Sequence, residues 1–288
     1  MRVLVTGATG LMGSRVIERL APANEVFAVG RRGGPELEGV EWIRLDLSQP
    51  LDPSALPGEM DAVAHLAQSE RYKDFPDGAM DLFAVNVQST AALLEYARGA
   101  GARAFVLAST GGCYAPSPAP IPEDAPLLTP GPYFRSKRMA ELLVENYTDQ
   151  LGGAVLRFFF VYGPGGRRLI AQLASQILAG EEIVIDGDPG IAMNPIYAED
   201  AAAAVEAALG LSEHATINVA GDEVLRVREL VERLAQAIGR EVRVRSEGTA
   251  PGDLVADTSR MRSLLGIRTE VDLDQGLRAV AQALMARR

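Results

Sequence analysis

Lysine is nearly absent. The 288 residues contain two, Lys73 and Lys137, against 26 arginines. Cysteine is scarcer still, and the single Cys113 excludes an intrachain disulfide and fits a reducing, cytoplasmic setting. The only histidines, His65 and His214, lie far apart, so no zinc-ligand pattern exists and no metal is expected. Cys113 reads as a small packing residue rather than a nucleophile. Positive charge is also in deficit. A formal net charge of −10 argues against non-specific binding to nucleic acid or to an anionic membrane. No apolar run is long enough to span a bilayer, and the first residues enter a strand pattern at once, so no signal peptide is expected. Neither internal repeats nor low-complexity tracts occur. What is present is a chain with 48% hydrophobic and 23% charged residues, able to bury a large core.

The first half alternates strand and helix signals. Strands are expected at 2–6, 25–30, 40–46, 61–67, 102–110 and 154–163, and helices at 14–20, 83–97 and 133–147. Most of these strands are continuous apolar runs, which implies a parallel sheet covered on both faces. Beyond GPGGRR (163–168) the pattern is less regular, with helices at 169–179, 199–210 and 227–238 and strands at 182–186, 216–220 and 242–245. The expected fold is α/β: a Rossmann-type doubly wound parallel sheet over 1–165, interleaved with a smaller C-terminal α/β substrate lobe over 166–288.

Gly7, Gly10 and Gly13 in TGATGLMG follow the first strand and open the first helix. A pyrophosphate needs that arrangement, because glycines let the backbone approach and the helix N-terminus offers free N–H groups. An acid at the end of the second strand would bind the adenosine ribose of NAD. This chain reads Gly30-Arg31-Arg32 there, which suits the 2′-phosphate of NADP, with NAD as the alternative. Asp46, ending the third strand, either accepts from the adenine amino group or caps the strand end.

Tyr133 and Lys137 are four apart on one predicted helix, so both face the same way. At neutral pH only about one tyrosine in a thousand is the phenolate that a base requires. A nearby ammonium favours that form, and its compact, rotatable donors can also hold a ribose hydroxyl, which the rigid guanidinium fork of arginine does less well. Chance supplies only about 0.05 such pairs in a chain of this composition, so the pair points to acid/base chemistry.

These stretches together resemble the extended short-chain dehydrogenase/reductases, the NAD-dependent epimerase/dehydratase family. The resemblance runs through TGATGLMG, LDL (45–47), HLAQ (65–68), NVQST (86–90), VLAST with Tyr114, PYFRSK (132–137), LRFFFVYGP (156–164), NPIYAEDAA (194–202) and PGDLVADTSRMRSLLG (251–266). It implies Tyr133 as acid/base, Lys137 as its partner, and Thr110, with Ser109 as runner-up, as donor to the substrate oxygen. It extends the cofactor contacts to Thr9, Leu11, Met12, Leu47, Leu66, Ala67, Gln68, Asn86 and Phe160. Substrate contacts are expected from Thr110, Gly111, Phe160 and Met193. Family dehydratases carry Asp-Glu after the threonine, where this chain has Gly111-Gly112, so dehydration is not expected. Family sugar-nucleotide enzymes hold the substrate pyrophosphate with an asparagine and two arginines, where this chain has Phe160, Met193 and Ala250. The implied function is an NAD(P)(H)-dependent oxidoreductase acting at a secondary alcohol or ketone carbon of a small or sugar-like substrate. A nucleotide-sugar epimerase with retained NAD and a non-catalytic NADP-sensing protein are the alternatives. A homodimer is expected, because family members pair through helices equivalent to 83–97 and 133–147.

Overall fold

The computed structural model describes residues 1–286. In chain order its strands are β1 (Arg2–Thr6), β2 (Glu25–Gly30), β3 (Val40–Arg44), β4 (Ala62–His65), β5 (Ala104–Thr110), β6 (Gly152–Phe158), β7 (Ile183–Asp186), β8 (Ala192–Met193), β9 (His214–Val219), β10 (Leu225–Arg226) and β11 (Val244–Glu247). The helices are α1 (Leu11–Leu20), α2 (Ala79–Phe83), α3 (Ser89–Gly99), α4 (Pro132–Glu145), α5 (Leu169–Ala179), α6 (Ala198–Ala208), α7 (Val227–Ile238), α8 (Ser259–Leu265) and α9 (Leu273–Met285).

A seven-stranded sheet has the order β3-β2-β1-β4-β5-β6-β9, and the pairings that join β1 to β5 are parallel. The chain moves outward from β1 to β3, then returns to the other side of β1 with β4. That reversal creates a crevice at the carboxyl ends of β1 and β4, where doubly wound sheets bind ligands. In β1, Val3, Leu4, Val5 and Thr6 are all completely buried, which explains why the strand reads as apolar without alternation. Leu4 joins a core with Phe27, Val63 and Phe105 of the sheet and Leu93, Leu94, Ala140 and Val144 of α3 and α4. By strand alternation Val3 and Val5 point to the opposite side of the sheet.

Three expectations are corrected. The sixth strand ends at Phe158, not at 163, because Phe160 takes a left-handed conformation (φ +46°) that an extended strand cannot continue through. The strand near 216, expected within the smaller lobe, instead forms the edge of the main sheet beyond β6. The helix expected at 83–97 is longer and interrupted: α2 leads through a π-helical turn, Ala84–Gln88, into α3.

The chain forms two compact units. The first comprises 1–113, 127–157 and 202–217; the second comprises 114–126, 158–201 and 218–288. The second has its own core, in which Ile170, Leu173 and Ile177 of α5 meet Leu230 and Leu234 of α7 and Leu277 of α9. Its loops are joined by two polar residues. Asn194 accepts from the Ala256 N–H at 2.9 Å and donates to the carbonyls of Ala256 and Gly221 at 3.0 and 3.2 Å. Asp253 accepts from the Ala192 N–H at 2.8 Å and from both terminal nitrogens of Arg226 at 3.0 and 3.1 Å.

Candidate active site

The glycine turn sits at the reversal point of the sheet. Gly7 has φ +68°, and a Cβ there would stand 2.7 Å from the backbone nitrogen of Ala67 at the end of β4. A Cβ on Gly13 would stand 2.1 Å from the Gly7 carbonyl oxygen, so glycine is what lets α1 close on the turn. Gly10 caps α1 without a side-chain bond, and the first turn of the helix carries no acid. Its N–H groups and dipole are thus offered to an anion, and the cradle fits a dinucleotide pyrophosphate. Thr9 and Gly10 are exposed, Leu11 and Met12 half-buried, and Leu47 and Leu66 buried.

Arg31 and Arg32 are exposed just past β2. Arg31 donates to Glu70 at 2.7 Å, a contact that the sequence did not announce and that raises the guanidinium pKa further. Asp46 accepts from the Ser48 N–H at 3.0 Å, which, ahead of the charge of Arg31, holds its carboxyl below the usual range.

Helix α4 carries Tyr133 and Lys137. Gly131 (φ +86°) turns the chain into it, and Pro132 occupies its first turn. Lys137 is 3% exposed and donates to the Ala108 carbonyl of β5 at 2.8 Å, so the ammonium is carried to the carboxyl-terminal part of that strand. The half-buried phenol of Tyr133 donates to the Gln68 side-chain oxygen at 2.9 Å. Tyr72 lies against the Tyr133 ring with 4.9 Å between centroids, and the Lys73 ammonium stands 5.8 Å over Tyr72.

The two candidate hydroxyls differ. Ser109 is buried and donates to Glu141 at 2.5 Å. Half-buried Thr110 accepts from the Gly112 N–H at 3.2 Å, which leaves its own proton to donate. At position 112 a Cβ would stand 2.2 Å from the Phe134 ring, so no acidic side chain fits there without displacing that ring. Glu141 also receives two bonds from Arg157 of β6, at 3.0 and 2.8 Å, and one from Arg138 at 3.0 Å. Burial pushes the Glu141 carboxyl up, but these bonds outweigh burial and hold it below its ordinary range. A signal for this pair existed: Arg157 interrupts an apolar strand, and Glu141 follows Lys137 by four residues on the same buried face.

Asn86, in the π-helical turn, is buried; its carbonyl accepts from the Ser69 N–H and its amide donates to Ser136, both at 2.9 Å. His65 is buried among Thr6 (2.7 Å) and Thr90 (3.1 Å), and burial, followed by the charge of Lys137, pushes its pKa down to about 3. Burial pushes the Cys113 thiol up to about 12, leaving it without thiolate character at neutral pH. In the second unit, Phe160 is half-buried against the core, whereas Met193 is fully buried within it, between Leu225 and Leu254. Met193 thus packs the core of its unit.

Residues 3–220 match the family model described as NAD dependent epimerase/dehydratase family. A dTDP-4-dehydro-6-deoxy-D-allose reductase from a Streptomyces species is 30% identical, covering 96% of this chain and 93% of its own. A 3-diazoavenalumate denitrifying reductase, also from a Streptomyces species, is 31% identical over 83% and 82% of the two chains. The solved UDP-glucuronic acid 4-epimerase of Bacillus cereus, in complex with UDP-glucuronic acid and NAD, superposes with a TM-score of 0.89 at 25% identity and covers both chains completely. The glycine cradle and the Tyr133–Lys137 turn thus lie in a chain that matches these enzymes along nearly its whole length: it belongs to the NAD-dependent epimerase/dehydratase family and is an NAD(P)(H)-dependent enzyme of that oxidoreductase and epimerase class.

Proposed function

We propose that this enzyme carries out net oxidation or reduction at a secondary alcohol or ketone carbon of a small or sugar-like substrate, with NADP(H) as its cofactor. The observation that carries this reading is Tyr133, a half-buried phenol one helical turn before a lysine whose ammonium is held inside the fold. Bound nicotinamide supplies or accepts a hydride at the substrate carbon. Tyr133 moves the proton at the substrate oxygen, and Lys137 places positive charge beside the phenol. Thr110 donates to that oxygen, a role Ser109 is less free to take because it donates to Glu141. The clash at position 112 supports a chemistry without the acidic residues of a dehydratase.

NADP is favoured by Gly30-Arg31-Arg32. Glu70 offers Arg31 one exposed carboxylate, and such surface pairs are worth about 0–1 kcal/mol. A 2′-phosphate brings more charge and bidentate geometry, so it displaces Glu70. The solved relative holds NAD, which makes NAD the alternative cofactor and nucleotide-sugar epimerisation the alternative reaction. Phe160, where family sugar-nucleotide enzymes use asparagine, favours a less charged substrate. One curated relative, the diazoavenalumate reductase, has no nucleotide sugar in its name. Met80, Phe83, Met139 and Leu142 are exposed on α2 and α4, and we assign this apolar surface to a homodimer of a cytoplasmic enzyme.

The test is turnover with NADPH or NADH on small ketones and unactivated sugars beside UDP-, GDP- and dTDP-sugars. Tyr133→Phe is expected to bind cofactor normally and lose at least about 10²-fold in turnover. Wild-type turnover in that variant overturns the assignment, and micromolar binding with turnover of a nucleotide sugar moves the function to the epimerase alternative.

A further inference from the structure

The phenol of Tyr133 belongs to a closed circuit of hydrogen bonds. Its hydroxyl donates to Gln68 Oε1 at 2.9 Å. The next residue, Ser69, is buried and donates its backbone N–H to Asn86 Oδ1 at 2.9 Å. Asn86 Nδ2 donates to Ser136 Oγ at 2.9 Å, and Ser136 Oγ donates to the carbonyl of Tyr133 itself at 2.7 Å. Ser69 is held from a second side, donating its hydroxyl to Asp81 of α2. The backbone next to Gln68 and the backbone carbonyl of Tyr133 are therefore both tied to the same buried amide, and Tyr72 packs against the ring from the segment that follows.

A carboxamide oxygen carries no proton, so in this contact the phenol must be the donor. In this orientation the bond exists only while Tyr133 is protonated; a phenolate would set lone pair against lone pair unless the carboxamide turned its Nε2–H₂ toward it. An acceptor bonded to the neutral form disfavours the charged one.

Resting on the acid/base reading of Tyr133, we propose that Gln68 is a positioning residue that holds the phenol in its proton-donating form, poised to protonate the oxygen of a carbonyl substrate. Gln68 thereby opposes Lys137, which favours the phenolate, and the balance of the two sets the direction in which the resting enzyme is prepared to work. Charged groups tied to the neighbouring segment include Lys73 over Tyr72, Asp81 bonded to Ser69, and the Arg31–Glu70 pair, Glu70 lying two residues from Gln68. All are unchanged by a neutral substitution at position 68.

The experiment follows the ionisation of Tyr133 in cofactor-free protein by NMR of ζ-¹³C-tyrosine, with Tyr133→Phe identifying the resonance and circular dichroism marking the pH range of the folded state. In Gln68→Leu the acceptor is lost and the midpoint is expected to fall by about one pH unit. In Gln68→Glu a charged acceptor replaces a neutral one and the midpoint is expected to rise. Opposite shifts from two substitutions at one site are not what loosened packing produces. An unchanged midpoint in both variants, shifts of the same sign, or a rise in Gln68→Leu overturns the proposal. No substrate or cofactor enters the measurement, so its failure leaves the acid/base assignment standing, while wild-type turnover in Tyr133→Phe removes that assignment and leaves the hydrogen bond.

Discussion

Helix α4 carries two polar clusters with opposite characters. Toward its C-terminal half, Glu141 is almost completely buried and receives bonds from Arg157, Arg138 and Ser109, so the carboxylate is saturated within the protein. Two turns earlier, Tyr133 is half-buried and its hydroxyl donates to the Gln68 carboxamide. The first cluster ties α4 to β5 and β6. The second holds a proton on a group that solvent still reaches. A buried charge that has all its partners is part of the frame, whereas a half-exposed titratable group one helical turn from a buried cation is where we propose the chemistry takes place.

The largest effect that tests this contrast comes from the saturated side. Glu141→Ala leaves the Arg157 guanidinium buried without its counter-charge and is expected to destabilise the fold by about 3–5 kcal/mol, read by urea unfolding. A change below about 1 kcal/mol would mean that this cluster does not hold the frame. On the open side, Lys137→Arg keeps the charge but not the compact ammonium. Turnover should drop by about 10²-fold while the far-UV spectrum stays native, and wild-type rates would erase the distinction between the clusters. Smaller is the effect of removing Arg31 and Arg32 together by alanine. NADPH affinity should fall by about 10- to 100-fold and NADH affinity much less, as fluorescence titration would report. Tighter binding of NADH than NADPH to the unmodified protein would refute the NADP assignment.

The smallest effect concerns pH. His65 is a second saturated group, and its folded pKa of about 3 lies below the ordinary histidine value of 6.5. Between those values the unfolded chain binds the extra proton, so this contribution to stability is complete above pH 6.5 and is lost as pH falls toward 3. Each proton adds a slope of at most about 1.4 kcal/mol per pH unit. The pKa of His214 is lowered too and acts in the same sense, so the comparison is His65→Gln against wild type. Stability between pH 6.5 and 5, above the carboxylate range, should decline less steeply in the variant. Parallel curves would show that His65 is not held neutral.

Much of this was legible along the chain. Alternating apolar runs and amphipathic helices announce a doubly wound sheet because burial on two faces demands that pattern. Three glycines between strand and helix announce a tight turn of the kind that takes a pyrophosphate, and the clashes at Gly7 and Gly13 give the steric reason for the turn. Tyr133 and Lys137 were recognisable because a helix brings residues four apart together. All of these are local: the relation is written within a few consecutive residues.

What depended on tertiary structure is contact between distant segments. Gln68 and Tyr133 are 65 residues apart, and Glu70 meets Arg31 across 39. The strand at 214–219 looks like any other short apolar run until the sheet edge receives it. Phe158 and Phe160 read as one strand because composition carries no sign of a left-handed turn at a phenylalanine. The sequence by itself determined the fold class, the glycine turn after β1 and the placing of Tyr133 and Lys137 on one helix, because periodicity and turn chemistry act over one or two turns of chain. Only the tertiary structure decided that Ser109 would serve the interior and Thr110 remain able to donate. Their neighbouring hydroxyls are chemically alike, and alternation along β5 directs one of them to Glu141.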